Sequence, residues 1–317
     1  MHKEKKDFFT PCEQQGIAPH LKNPDLEAKL EIGIGKMTII FPTSGFTDQS
    51  CMKIEIGSAR CKIWPALGAI GGFFAEDRES ALAVLAEAER QLREECGFDQ
   101  IVGPMDGNTW QKYRFVTETD GSPPFLMEPE NPPEWPEWWQ EAGWKPLAEY
   151  ISSRMDLPAA PGVPEKLVQR IESRGVSIRP VEVANYEAEL RALYPFLLDA
   201  FSENFLYTSI NEAEFLGLYL PAQPLLDPDF VRIAEDAGGR PVGLVFCVAD
   251  GESLIVKTLA SQVRGLGSVL LAEVHERARL RGLRTAIHAL KHVDNTSVRV
   301  SERQGGEVFR RYTLFSK

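Results

Sequence analysis

Apolar positions in the second half of the chain recur with two distinct periods. VSIRPVEV alternates apolar and polar residues, the period of a half-buried strand. Tyr186–Phe201 and Asn211–Leu220 space their apolar residues three and four apart, the period of a helix. DFVRIAED, GRPVGLVFCVAD and ESLIVKTLAS then read as three strands, separated by the hairpin turn signals AGGR and DGE. A helix within Gln262–Gly282, a strand RTAIHALKH, a short helix from Asn295 to Gln304 and a last strand EVFRRYTLF follow. Antiparallel hairpins leading into a β-α-β unit predict an α+β sheet with helices on its faces.

The first half carries a weaker form of the same rhythm. Strand-like MTIIF, CMKIEIG and AIGGFF precede a helix from about Asp77 to Cys96, stopped by Gly97. A strand DQIVGP, a turn at DGNTW and a Trp-rich segment follow, and Trp135, Trp138 and Trp139 fit one helical face. MDLPAAPGVPEK has three prolines in twelve residues, a density that resists helix and central strand and marks a boundary. The division expected is an N-terminal arm (1–35), a first domain (36–155), a linker with a helix (156–175) and a second domain (176–317). The two domains read as two mixed, mostly antiparallel sheets flanked by helices, copies of one fold.

Charge narrows the partners. The net charge is −11, and it is uneven: 28 acidic against 19 basic residues in 1–175, but 18 against 16 in 176–317. A chain without a dominant basic surface is not expected to bind nucleic acid. No run of 18 apolar residues exists, so no membrane partner is expected. Five cysteines without a CxxC spacing suggest neither a disulfide framework nor a metal site, and the expected compartment is the cytoplasm.

The stretch with the most chemistry is QVRGLGSVLLAEVHERARLRG. A strand that ends near Ser261 and turns through Gln262, Val263, Arg264, Gly265, Leu266, Gly267 and Ser268 into a helix gathers backbone N–H groups at the positive end of the helix dipole. Glycines let a phosphate approach with no Cβ in the way. Three readings are open: a tight turn without a ligand, a dinucleotide loop lacking its third glycine, and a coenzyme A loop. A P-loop is excluded, since no GK[ST] follows. Arg277, Arg279, Arg281 and Arg284 read as a solvated helix end, and His275 as a surface residue of the helix.

Q-x-x-G-x-G after the fourth strand, with Asn295 after the next one, resembles the GNAT acyltransferase superfamily, and the element order of 176–317 is similar throughout. The first half resembles a second GNAT domain, as in bacterial tandem-GNAT proteins. The resemblance implies that the glycine loop binds the pyrophosphate of acetyl-CoA or another acyl-CoA. It also implies a bulged fourth strand, within LIVKTLAS at Thr258 and Leu259, that pairs with the pantetheine arm, which Asn295 contacts. The acceptor implied is a small-molecule amine or an amino-acid-like compound. An acyl carrier protein as donor, or a binding role without catalysis, are the alternatives; the oligomeric state stays open between monomer and homodimer. In the first copy Glu76, Asp77 and Glu79 stand where the glycines would, so one donor site is expected, in the second domain.

The family's leaving-group acid is a Tyr seven residues after the Asn; here Glu302 holds that position. His292, closing the strand RTAIHALKH, is the candidate base, and His288 alternates onto the same face. These two, Glu302 and His292, are the catalytic candidates.

Overall fold

MKIEI and ARCKIW pair antiparallel as β1 (Met52–Ile56) and β2 (Ala59–Trp64). AIGGFF adds β3 (Ala69–Phe74) beside β2, and β4 (Val102–Gly103) runs parallel to β3. Between them lies α1 (Arg78–Arg90), which opens on Asp77: its carboxylate accepts from the Ser80 backbone N–H at 2.8 Å and from the Ser58 hydroxyl at 2.5 Å. A carboxylate thus sits at the positive end of this helix. β5 (Phe115–Thr119), α2 (Glu134–Glu141) and β6 (Lys145–Asp156) follow.

The remaining elements follow the predicted order. They are α3 (Glu165–Glu172), β7 (Ser177–Pro180), α4 (Tyr186–Phe201), α5 (Glu212–Tyr219), β8 (Val231–Glu235), β9 (Pro241–Asp250), β10 (Ser253–Ser261), α6 (Leu266–Leu280), β11 (Thr285–His292), α7 (Thr296–Arg303) and β12 (Glu307–Ser316). Asn211 caps α5 through a reciprocal pair with Glu214, which explains why that helix starts where it does. This computed structural model describes residues 51–157, 162–163 and 165–317; the expected arm, MTIIF, Cys12 and the prolines at 158, 161 and 164 lie outside them.

Two compact units result, and neither is one continuous stretch. Described residues up to Thr117, with Pro129–Ala148 and Thr313–Lys317, form the first; Glu118–Glu128 and Glu149–Tyr312 form the second. The cut expected at residue 155 is therefore corrected. β6 leaves the first unit after Ala148 and pairs antiparallel with β11, from His292↔Tyr150 to Thr285↔Asp156. Without it, β11 would present an unpaired edge.

The first unit's core is aromatic. Trp139 and Trp144 are fully buried with Phe73, Phe115 and Phe315, the rings mostly edge to face at 5–6 Å. The tryptophans of the α2 region are packing residues. In the second unit, Leu266, Leu270, Leu271, Val274 and Ala278 of α6 pack on Val245, Cys247, Leu254 and Val256 of the sheet. On β7, Arg179 bridges Glu189 of α4 at 2.6 Å and Glu235 of β8 at 2.6 Å, tying the edge strand to its helix.

Two histidines lie inside this core. His275 is 3% exposed, a correction of its expected surface position, and its Nε2 is 3.2 Å from Nε2 of His288. His288 is 4% exposed, and its Nδ1 is 2.8 Å from Ser301 Oγ on α7. Burial lowers the pKa of both, that of His275 to about 4 and that of His288 well below its ordinary 6.5. Between pH 6.5 and 4 the unfolded chain therefore binds more protons than the folded one, so stability is full above pH 6.5 and is lost as the pH falls. Denaturant midpoints measured across this range are expected to drop, with His275 alone accounting for roughly 3 kcal/mol at the acid end. His275→Leu should reduce the drop, leaving the part due to His288.

Candidate active site

β10 carries a bulge. Its register with β9 runs from Ser253↔Asp250 to Val256↔Cys247 and resumes at Thr258↔Phe246, leaving Lys257 as the extra residue. β10 also pairs in parallel with β11, but only from Ser253↔Thr285 to Val256↔His288. Beyond that pair the two strands diverge, β10 towards Ser261 and β11 towards His292. The bulge and the end of the parallel ladder coincide, which opens the sheet at its centre.

The glycine loop closes the far end of that opening. Gly265 is left-handed (φ 93°, ψ −15°) and caps α6; a Cβ there would lie 2.8 Å from Leu167 Cδ1 of α3. This glycine makes the turn. Gly267 has no such constraint, since a Cβ would meet only Ser261 Oγ at 3.5 Å and Leu259 at 3.8 Å. The Leu266 N–H donates to Val263 O at 3.0 Å, and the Ser268 N–H to Gly265 O at 3.2 Å. Neither amide is free for a ligand, which corrects their place in the expected cradle; the Leu266 side chain is core. No acceptor among the described residues takes the N–H groups of Val263, Arg264, Gly265 and Gly267. Four amides at a helix N-terminus, beside a glycine whose missing side chain the fold does not require, fit a pyrophosphate.

The other expected donor contacts are brought to the same place. Thr258 and Leu259 follow the bulge and are half-buried. Gln262 Nε2 donates to Asp199 Oδ2 of α4 at 2.6 Å, so this side chain fastens the loop to a helix. Arg264 is exposed. Asn295 caps α7, its Oδ1 accepting from the Ser297 N–H at 3.0 Å, which leaves its amide NH2 to meet a ligand. Arg277 and Arg281 pair with Asp229 at 2.9 and 2.8 Å, and Arg279 with Glu276 at 2.6 Å, away from the loop.

The catalytic candidates part company because β11 also bulges. His288↔Ser153 and Lys291↔Ile151 bracket two residues on β11 against one on β6, with Leu290 left-handed (φ 57°) and its N–H donating to Ser152 Oγ at 3.0 Å. The extra residue reverses the alternation. His292 therefore does not share a face with His288. It lies half-buried on the opposite face, its ring 5.0 Å from Tyr150 and 5.6 Å from Phe205, its Nδ1 accepting from the Asp294 N–H at 3.2 Å. Glu302 is exposed on α7. Lys291, which unbroken alternation would put on the face opposite His288, lies instead on the face of His288.

Sequence reasoning also missed the segment Glu118–Glu128 on the His292 face. Asp120 pairs with Arg154 of β6 at 2.7 Å. Buried Glu128 accepts from Arg310 Nε at 3.0 Å and from the Tyr312 hydroxyl at 2.5 Å, and that hydroxyl is 2.9 Å from Ser152 Oγ. Lys257 Nζ donates to Met127 O at 3.0 Å, bringing the segment against the bulge of β10.

A parallel ladder that ends at a bulge, with a glycine loop and helix beyond it, can be set beside known folds. A GCN5-related N-acetyltransferase from Sphaerobacter thermophilus superposes over 85% of this chain and 80% of its own, with a TM-score of 0.51 and 15% identity. The chain has the GNAT fold. A tandem GNAT protein from the clavulanic acid biosynthesis pathway superposes over 84% of this chain and 82% of its own, with a TM-score of 0.50 and 13% identity. In sequence, a bacterial ceramide synthase from Caulobacter vibrioides is 24% identical over 186 residues, 57% of this chain. That match spans 48% of the relative, so the chain accounts for about half of its length. No family model matches. Among the described residues, no helix is long and apolar enough to cross a membrane, and no group of three His, Cys, Asp or Glu is placed to hold a metal ion.

The two glycines of this loop separate by experiment. Gly265→Ala should cost about 1–3 kcal/mol of stability, from the left-handed backbone and the contact with Leu167. Gly267→Ala should leave stability within about 1 kcal/mol. Chemical denaturation of both variants checks this.

Proposed function

We propose that the second unit is an acyl-CoA-dependent N-acyltransferase, which moves an acyl group, acetyl or longer, from coenzyme A to an amine nitrogen. The observation that carries this reading is the distance between two features on one strand. From the bulge at Lys257 to the loop at Gln262 is five residues, roughly 16 Å of strand. That is the length scale of an arm joining a pyrophosphate to a thioester. The free amides of Val263, Arg264, Gly265 and Gly267 would take the pyrophosphate, and the edge of β10 exposed by the opening would pair with the pantetheine amides. Backbone N–H groups at the bulge would receive the charge that develops on the carbonyl oxygen. Four loop amides favour the free coenzyme over a carrier-bound arm, which presents a single phosphate.

The acceptor would enter on the face of His292 and the segment 118–128, where His292 would take its proton. Three of the large apolar side chains exposed to solvent belong to that side: Leu126 at 37%, Met127 at 50% and Phe205 at 40%. They favour an amine that carries an apolar chain. The Caulobacter relative points the same way, since a ceramide is an N-acyl lipid.

Calorimetric titration of acyl-CoA thioesters of increasing chain length, followed by mass spectrometry of products from a panel of amines, tests both parts. Binding in the micromolar range, lost in Gly267→Glu, and amide formation with long-chain amino alcohols but not with hydrophilic amines are expected. Wild-type protein that binds no acyl-CoA would end the reading.

A further inference from the structure

On β11, the strand that borders the opening, lies one charged group that the donor and acceptor contacts leave unused. Lys291 is 8% exposed. Among the described residues its Nζ has one hydrogen-bond acceptor, Ser153 Oγ at 2.9 Å, and no carboxylate within ion-pair distance. An ammonium carries three donors, so two N–H bonds face no protein acceptor. Donors left over in a buried ammonium are costly unless something polar meets them, so this group is available to a partner that brings an acceptor.

The location is specific. Ser153 pairs with His288, and His288 pairs with Val256, so the three residues lie in line across β6, β11 and β10 at the last rung before the strands diverge. Lys291 starts three residues beyond that rung. Its side chain folds back to reach Ser153, which returns Nζ to the level of the rung and of the adjacent bulge at Lys257. The bulge in β11 also puts it on the face of α6 and α7, because His288 on that face meets His275 and Ser301. Glu302, at the position where the resemblance places the leaving-group acid, is near enough on α7 to act on Lys291 electrostatically.

We propose that Lys291 is the acid that protonates the sulfur leaving the thioester. This rests on the acyl-CoA reading above. The nitrogen lone pair of the acceptor attacks the carbonyl carbon. The C–S bond then breaks with its electron pair on sulfur, and the thiolate takes a proton from Nζ, giving the free thiol. The nitrogen loses one proton to His292, which passes it to solvent, and the neutral lysine regains one from solvent, so the protons balance. The charge environment suits the role. Burial pushes the Lys291 ammonium down to about 8, with the Glu302 carboxylate opposing the fall. The groups that face it from α6 and from its own strand, His275 and His288, are held neutral by burial. An acid near 8 is matched to a thiol whose ordinary pKa is about 8.5. Glu302 is exposed, and an acid role for a carboxyl group at neutral pH needs burial.

The test uses coenzyme A itself as the probe. The thiol of bound coenzyme A is titrated by its ultraviolet thiolate absorbance in wild type, Lys291→Met and Lys291→Arg. A neighbouring ammonium should lower the thiol pKa in wild type by about one unit relative to Lys291→Met, with Lys291→Arg keeping part of the shift. In turnover, Lys291→Met and Lys291→Arg should both lose about a hundredfold in kcat, with KM for acyl-CoA within about threefold, because a guanidinium keeps its proton. Wild type should also lose activity as the pH rises through 8. If all three proteins bind coenzyme A and titrate alike, Lys291 is not the acid, while the donor reading stands. If wild type binds none, both fall.

Discussion

The parallel ladder between β10 and β11 stops at Val256↔His288, and the rest of the candidate site depends on that stop. A sheet ordinarily continues pairing wherever two strands run side by side, because unpaired N–H and C=O groups inside a protein are costly. Here pairing is interrupted on both strands at one level: by Lys257 on β10 and by the Ala289–Leu290 bulge on β11. The free edge of β10 gains a use only if something extended lies against it. The loop at 262–268 then offers amides at one end of that edge, and in the proposed reading Lys291 supplies an ammonium at the other. A thioester with a charged tail is the kind of ligand that satisfies all three at once.

The opening is held apart from both sides. On the face of α6, buried His275, His288 and Ser301 link a helix, a strand and the next helix through hydrogen bonds, at the cost of acid sensitivity. On the other face, Glu128, Arg310, Tyr312 and Ser152 form a chain that ends on the Leu290 N–H, inside the β11 bulge. The left-handed backbone at Leu290 would be strained in isolation; a side-chain acceptor placed to meet its N–H is what sustains it. The segment 118–128 thus does more than cover the sheet. It fixes the geometry of the strand that carries Lys291 and His292.

Much of this was legible in the sequence, for reasons that are local. α4 ends at the residues its periodicity marks, the hairpin signals AGGR and DGE lie between β8, β9 and β10, and the glycine spacing announces a helix N-terminus. The bulge in LIVKTLAS was expected from resemblance, and it falls at Lys257. What alternation cannot show is its own interruption. RTAIHALKH reads as an unbroken strand, so His288 and His292 were expected on one face; one extra residue moved His292 across the sheet and brought Lys291 inward. His275 looked like a surface residue because its partner is a histidine on a distant strand. KPLAEYISSRMD gave no clear strand signal, since both of its faces are covered by residues far along the chain. The division into units was hidden for the same reason: Glu118–Glu128 and the end of β6 belong with residues that follow the proline-rich segment.

Backbone amide exchange, followed by mass spectrometry with and without coenzyme A, addresses the central claim without needing an acceptor. Protection is expected over 257–268, where loop amides and the β10 edge would be covered, and over 289–302 across the opening. It is not expected over 77–90, where the Asp77 carboxylate already occupies the helix N-terminus. Protection confined to that first helix, or spread evenly over the chain, would contradict the account.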